Sequence, residues 1–268
     1  MKGHISFSIY VVICFVFFNS CKTTSNISKE YKSYFDKYGI KGTFVLLDLS
    51  KKKYKFFNKN RADSSYIPAS TFKILNSLIA LETEVISDEK EIIKWDGKDK
   101  GWEKWNRDQN MKSAIAVSCV WFYQEIARRI GNTSMQYWVD KTSYGNKIIG
   151  GKIDNFWLEG NIRISAKEQV QFLKKLVENK LPFKKINQDI VKQIMVTDST
   201  KEYTLHSKTG WGLRVNPQIG WYVGYIEKTN NIWIFALNID IKNKSDLKFR
   251  KKITYDILQS EGIMVNNE

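Results

Sequence analysis

Pro68-Ala69-Ser70-Thr71-Phe72-Lys73 stands directly before an apolar helical period, Thr71 to Thr83, in which Ile74, Leu75, Leu78 and Leu81 share one face. A Ser and a Lys three apart at a helix start lie on the same side, so the amine can reach the hydroxyl. The spacing alone discriminates little. Lys is so common here that Ser-x-x-Lys also occurs at Ser50, Ser87 and Ser245, but only Ser70 combines a turn, a helix start and an apolar flank. Taken by itself, Ser70 could equally be a helix N-cap.

Working outward, Gly42 to Leu49 and Lys53 to Asn58 read as strands joined by a Ser50-Lys51-Lys52 hairpin. Three further strands fall near the other end, at Tyr203 to Lys208, Ile219 to Glu227 and Ile232 to Ile241, with Thr229-Asn230-Asn231 joining the last two. The middle is helical in period: Met111 to Ile130, ending on Gly131, and a helix opened by the capping box Ser165-Ala166-Lys167-Glu168. A last helix runs from about Asp246 to Gln259. Strands from both chain ends must therefore pair around a helical centre, which predicts a mixed α/β fold: an antiparallel sheet flanked by helices, plus an all-α lobe.

The 268 residues are 43% hydrophobic and 14% aromatic, enough to fill a sizeable core and too apolar for disorder. Two His and three scattered Cys offer no metal-ligand spacing, so no metal is expected. The formal charge of +15 comes mostly from Lys spread along the chain without a block, the pattern of a solvated surface rather than a nucleic-acid groove. Only seven basic residues are Arg, and Arg214 and Arg250 stand out as places where planar guanidinium geometry is retained.

Lys2 followed by the apolar run Ile5 to Phe18 has the length of a signal-peptide core and is too short to span a bilayer. Residues 1–20 are read as an export signal, residues 21–30 as a tether, and residues 31–268 as a single domain in the periplasm. Phe18-Asn19-Ser20-Cys21 resembles a bacterial lipobox, with Phe in place of the usual Leu, in which Cys21 would be lipidated and tie the protein to a membrane. The alternative is an ordinary cleaved signal with an incidental Cys. Removing the signal takes Lys2 and Cys14 away, leaving a charge of +14 and Cys119 as the cysteine of the domain body.

Further motifs follow in order: Ser118-Cys119-Val120, Tyr144-Gly145-Asn146, Phe156-Trp157-Leu158-Glu159-Gly160, and Lys208-Thr209-Gly210 at a strand end. Each has a bland reading: a helix-interior Ser, a turn, a buried Trp, a strand terminus. The ordered series, with Arg250 in the final helix, resembles the class D β-lactamases, the serine oxacillinases, from about Tyr31 to Glu261. The resemblance implies the serine β-lactamase and penicillin-binding transpeptidase fold, and a small β-lactam substrate. It implies Ser70 as nucleophile and the backbone N–H groups of Ser70 and Trp211 as oxyanion donors. Lys73 would be the base. Burial against Phe72, Val120, Trp157 and Leu158 would neutralise it, and it would take up carbon dioxide as a carbamate (N6-carboxylysine) held by the Trp157 indole. No other cofactor is implied.

Ser118, tuned by Lys208, would protonate the departing nitrogen; Thr209, Gly210 and Arg250 would bind the substrate carboxylate. Tyr144 and Asn146 are supporting residues or members of a satisfied turn. Trp211 to Trp221 resembles the loop of carbapenem-hydrolysing oxacillinases, and an Arg214–Glu159 pair across the mouth is expected. Two acylating rivals share the nucleophile: a penicillin-binding sensor domain, which looks polar where Val120 stands, and a D,D-peptidase, which lacks a water-activating base. A non-enzymatic lipoprotein would leave the motif series unexplained. A monomer or a homodimer is compatible with the sequence.

Overall fold

The computed structural model describes residues 25–27 and 30–264. The segment read as an export signal, Cys21 and the last four residues lie outside the described residues. β1 (Ser25–Ile27) leads through α1 (Tyr31–Lys37) to β2 (Gly42–Asp48) and β3 (Lys53–Phe57). The helical middle holds α2 (Lys59–Asp63), the short β4 (Ser65–Tyr66), a 3₁₀ turn over Ala69–Phe72, α3 (Lys73–Glu82), α4 (Met111–Ala116), α5 (Val120–Ile130) and α6 (Asn132–Thr142). Then come β5 (Ile164–Ser165), α7 (Ala166–Val177), α8 (Lys185–Ile194), β6 (Val196–Ser199), β7 (Thr204–Gly212), β8 (Ile219–Lys228), β9 (Asn231–Asp240) and α9 (Phe249–Ser260).

Seven strands form one sheet in the order β1-β3-β2-β9-β8-β7-β6, antiparallel except where β1 runs parallel to β3. The two chain ends therefore meet in the middle, at β2 against β9. Alternation along β2 shows why the run is apolar throughout: Phe44 and Leu46 enter one core with Tyr31, Phe35, Ile253 and Ile257, while Val45 and Leu47 enter the other with Val170, Leu173 and the lobe helices. A strand covered on both faces has no polar side to show. The hairpin is closed by Asp48, whose Oδ1 accepts from Lys51 N at 3.1 Å and Ser50 Oγ at 3.0 Å, with Lys52 at φ 52°.

Several expectations are corrected. Ser25–Ile27, expected to be tether, adds an edge strand. The helix from Met111 to Ile130 is two helices, parted at Val117–Cys119 around Ser118 with φ 57°. No Gly or Pro marks that break. Indoles hold it instead: Trp105 Nε1 donates to Val117 O at 3.0 Å and Trp121 Nε1 to Trp105 O at 2.8 Å. Lys208-Thr209-Gly210 lies inside β7, which continues to Gly212. The helix expected from Thr71 opens as a 3₁₀ turn, and α3 is buried on every side from Lys73 to Leu81 because it runs through the middle of the lobe. The last helix starts at Phe249, after a 3₁₀ turn over Lys244–Lys248. The Ser165–Glu168 capping box is present as expected.

Candidate active site

Ser70 sits in a turn fixed from three sides. Thr71 Oγ1 donates to Pro68 O at 2.7 Å, Gln169 Nε2 donates to Thr71 Oγ1 at 2.8 Å, and Trp221 Nε1 donates to Ile67 O at 2.8 Å. Ala69 adopts φ 49°, a left-handed conformation that costs a residue with a Cβ about 1–2 kcal/mol, and it immediately precedes Ser70. β7 packs directly on this turn. A Cβ at Gly210 would lie 3.2 Å from Pro68 O and 3.3 Å from Thr71 Cγ2, so the absent side chain lets the strand approach Ser70.

Lys73, on the first residue of α3, is 0% exposed and its Nζ is 2.9 Å from Ser70 Oγ. Desolvation lowers its pKa to about 7. Its surroundings are aromatic: Nζ lies 5.4 Å from the Tyr123 ring centroid, and neighbouring Phe72 stacks on Trp157 at 5.7 Å and meets Phe156 and Tyr144 edge-on. Trp157 Nε1 is buried with no acceptor among the described residues. Cys119 is buried beside Lys73, and burial pushes its thiol up to about 11, so it stays neutral near pH 7 and behaves as a small apolar group.

The inter-helix break presents Ser118 to the same site, where its Oγ accepts from Lys208 Nζ at 3.0 Å; Lys208 also donates to Thr209 O at 3.1 Å. Burial, then the charges of Lys73, Arg250 and Lys251, hold Lys208 well below an ordinary lysine pKa. Arg250 is lowered to about 10 by burial; its Nε donates to Leu247 O at 2.9 Å and its Nη1 to Gly210 O at 2.7 Å. Two of five guanidinium N–H groups are thus committed to orienting it, and the remaining three have no partner among the described residues.

One cavity of about 570 Å³ opens here, lined among others by Ser70, Ser118, Val120, Leu158, Thr209, Gly210, Trp211 and Arg250. Arg214 Nη1 and Glu159 Oε2 are 3.4 Å apart at its edge, with side chains 48% and 41% exposed. Tyr144 and Asn146 stay out of the cavity lining. Tyr144 supports Phe72 from behind, and Asn146 closes a turn, its Nδ2 donating to Asn161 O at 2.9 Å and its Oδ1 accepting from Arg163 N at 3.0 Å. Sequence reasoning missed Tyr123, Trp102, Trp105 and Lys244. The crowding of Trp95, Trp102, Trp105 and Trp121 around a polar segment was the available signal for the indoles.

A serine hydrogen-bonded to a fully buried lysine, in a turn packed against a sheet of this topology, points to an acyl-transfer enzyme of the penicillin-binding class. A family model described as the penicillin-binding protein transpeptidase domain matches residues 14–259. The chain is 44% identical to β-lactamase OXA-5 of Pseudomonas aeruginosa over 96% of its length and 98% of that protein's. It is 43% identical to β-lactamase OXA-48 of Klebsiella pneumoniae over 88% and 89% respectively. Among solved structures, the class D β-lactamase FUS-1 (OXA-85) from Fusobacterium nucleatum subsp. polymorphum superposes with a TM-score of 0.88 at 40% identity, covering 90% of this chain and all of that one. The chain belongs to the class D β-lactamases, serine hydrolases that act on the β-lactam amide.

The depressed Lys73 pKa carries a stability consequence. Between about pH 7 and 10.5 the unfolded chain keeps a proton that the folded chain has lost, so this residue's penalty shrinks as pH rises, by about 1.4 kcal/mol per pH unit. Lys73→Met should therefore exceed the wild type in stability most at pH 7 and below, with the gap narrowing toward pH 10.5. Urea unfolding in carbon-dioxide-free buffer measures it. A gap independent of pH would return Lys73 to an ordinary lysine.

Proposed function

We propose that this class D β-lactamase hydrolyses penicillins of the oxacillin type through an acyl-enzyme on Ser70, with Lys73 carrying the general base. The observation supporting this reading is the fully buried Lys73 with its Nζ 2.9 Å from Ser70 Oγ and no carboxylate paired with it among the described residues. The Lys73 side chain is placed to take the Ser70 proton as Oγ attacks the lactam carbonyl. The backbone N–H groups of Ser70 and Trp211 receive the developing oxyanion. As the C–N bond breaks, Ser118 Oγ gives its proton to the lactam nitrogen and is resupplied from Lys208 Nζ. Thr209 and Arg250 orient the substrate carboxylate, using the guanidinium N–H groups left free.

The pocket fits a carbamate on Lys73. A neutral amine can add carbon dioxide, the walls are apolar, and the unpartnered Trp157 indole N–H is a donor for an anionic oxygen. When bound there, carbon dioxide supplies a carboxylate-like base able to serve both acylation and the deacylating water. Val120 and Leu158 keep that region apolar, the feature that separates a hydrolase from a sensor that stays acylated.

The Arg214–Glu159 pair supports weak carbapenem turnover as part of this reading. Both side chains are about half exposed, so the pair is worth no more than about 1 kcal/mol to stability, and its effect is on the placement of the Leu213–Gln218 loop. Export follows from residues 1–20, with Cys21 as the lipidated mature N-terminus. No helix among the described residues is long and apolar enough to cross a membrane.

Hydrolysis of oxacillin, benzylpenicillin and a carbapenem, with and without bicarbonate, tests the enzymatic reading. Bicarbonate should raise turnover severalfold in degassed buffer and Lys73→Ala should abolish it; full activity without bicarbonate would remove the carbamate. A carbapenem acyl-enzyme that forms and never clears would restrict the range to penicillins. For the anchor, the wild type should fractionate with membranes and Cys21→Ser should not. A wholly soluble wild type would end the lipoprotein reading.

A further inference from the structure

The residues lining the active-site cavity include four cationic groups, Lys100, Arg214, Lys244 and Arg250, and no carboxylate. Two are compensated at the rim: Lys100 by Asp96 at 2.7 Å and Arg214 by Glu159 at 3.4 Å. Arg250 lies deep and its Nη1 donates to the Gly210 carbonyl of β7. Lys244 is different. Among the described residues no carboxylate pairs with it, and its Nζ instead stands 5.3 Å from the centroid of the Trp102 ring. Trp102 is 49% exposed and leans on Trp105 at 5.8 Å. The two residues arrive from distant parts of the chain, Trp102 from the segment before α4 and Lys244 from the turn after β9, and meet at one cavity.

An exposed ammonium–indole contact is worth about 0.5–1 kcal/mol, too little to bar the entrance but enough to bias where the ammonium sits. We propose that Trp102 and Lys244 form a second anion subsite, which selects β-lactams carrying an aryl side chain with its own carboxylate in addition to the carboxylate of the bicyclic core. The aryl ring packs against the exposed indole, and the extra carboxylate pairs with Lys244. Since Lys100 and Arg214 are already partnered, Lys244 is the cation at the mouth whose charge is available. The subsite rests on the β-lactamase reading and adds a substrate class to it.

The test compares α-carboxybenzylpenicillin with benzylpenicillin, which differ by that one carboxylate. Lys244→Gln should lower the ratio of kcat/KM for the dianionic over the monoanionic substrate about 5–10-fold, through KM rather than kcat, and added salt should erode the wild-type preference in the same sense. Lys244→Arg should restore most of the ratio, and Trp102→Ala should raise KM about threefold for both substrates, since both carry the phenyl ring. A ratio unchanged by Lys244→Gln, or a change equal for both substrates, would overturn the subsite. Failure to hydrolyse benzylpenicillin at all would instead strike the enzymatic reading, which keeps the two outcomes apart.

Discussion

A lysine buried without a carboxylate partner is the constraint on which this structure turns. Moving an ammonium out of water into an apolar interior is among the costliest substitutions a fold can carry, and a nearby carboxylate is the usual remedy. Here Lys73 has aromatic rings and a neutral thiol around it, and its pKa falls to about 7 through desolvation. The proton is given up instead of being paired. The stack of Phe72 on Trp157, the edge contacts of Phe156 and Tyr144, and the buried α3 are therefore more than packing: they keep water away from one nitrogen. Hydration of that pocket would raise the lysine toward its ordinary range and leave Ser70 beside an ammonium.

The rest of the site is arranged around that dry centre. Strand β7 can approach the Ser70 turn because Gly210 has no side chain, and the approach brings Lys208 to Ser118 and the Gly210 carbonyl to Arg250. Lys208 is itself buried, and its proximity to Lys73 makes a charge on one disfavour a charge on the other. The cationic lining with no carboxylate suits an anionic substrate and places positive potential where it enters. Backbone strain reaches this place too: Ala69, beside Ser70, and Ser118 both have positive φ without being glycine.

The sheet from both chain ends was legible because the strands carry β-type runs separated by turn residues, and the order of short motifs led to the family. Ser70, Lys73, Ser118 and Lys208 could be singled out one by one for the same reason. Their mutual distances could not, since Ser118 is placed by a helix break that no Gly or Pro announces and that depends on the indoles of Trp105 and Trp121 far from any motif. Trp102 and Lys244 escaped notice because their meeting is set by tertiary packing across more than a hundred residues of sequence. The edge strand Ser25–Ile27 looked like tether because it overlaps the polar run Lys22 to Asn26; its pairing with β3 is made through the backbone.

The most direct test of the central claim is titration of the Lys73 amine itself. Selective isotopic labelling of lysine, with Lys73→Met to assign the resonance, would follow its side chain by NMR in carbon-dioxide-free buffer. The account predicts a midpoint near pH 7 in the folded enzyme. A midpoint near the ordinary lysine value of 10.5 would contradict it, because Ser70 would then have no neutral amine beside it at physiological pH.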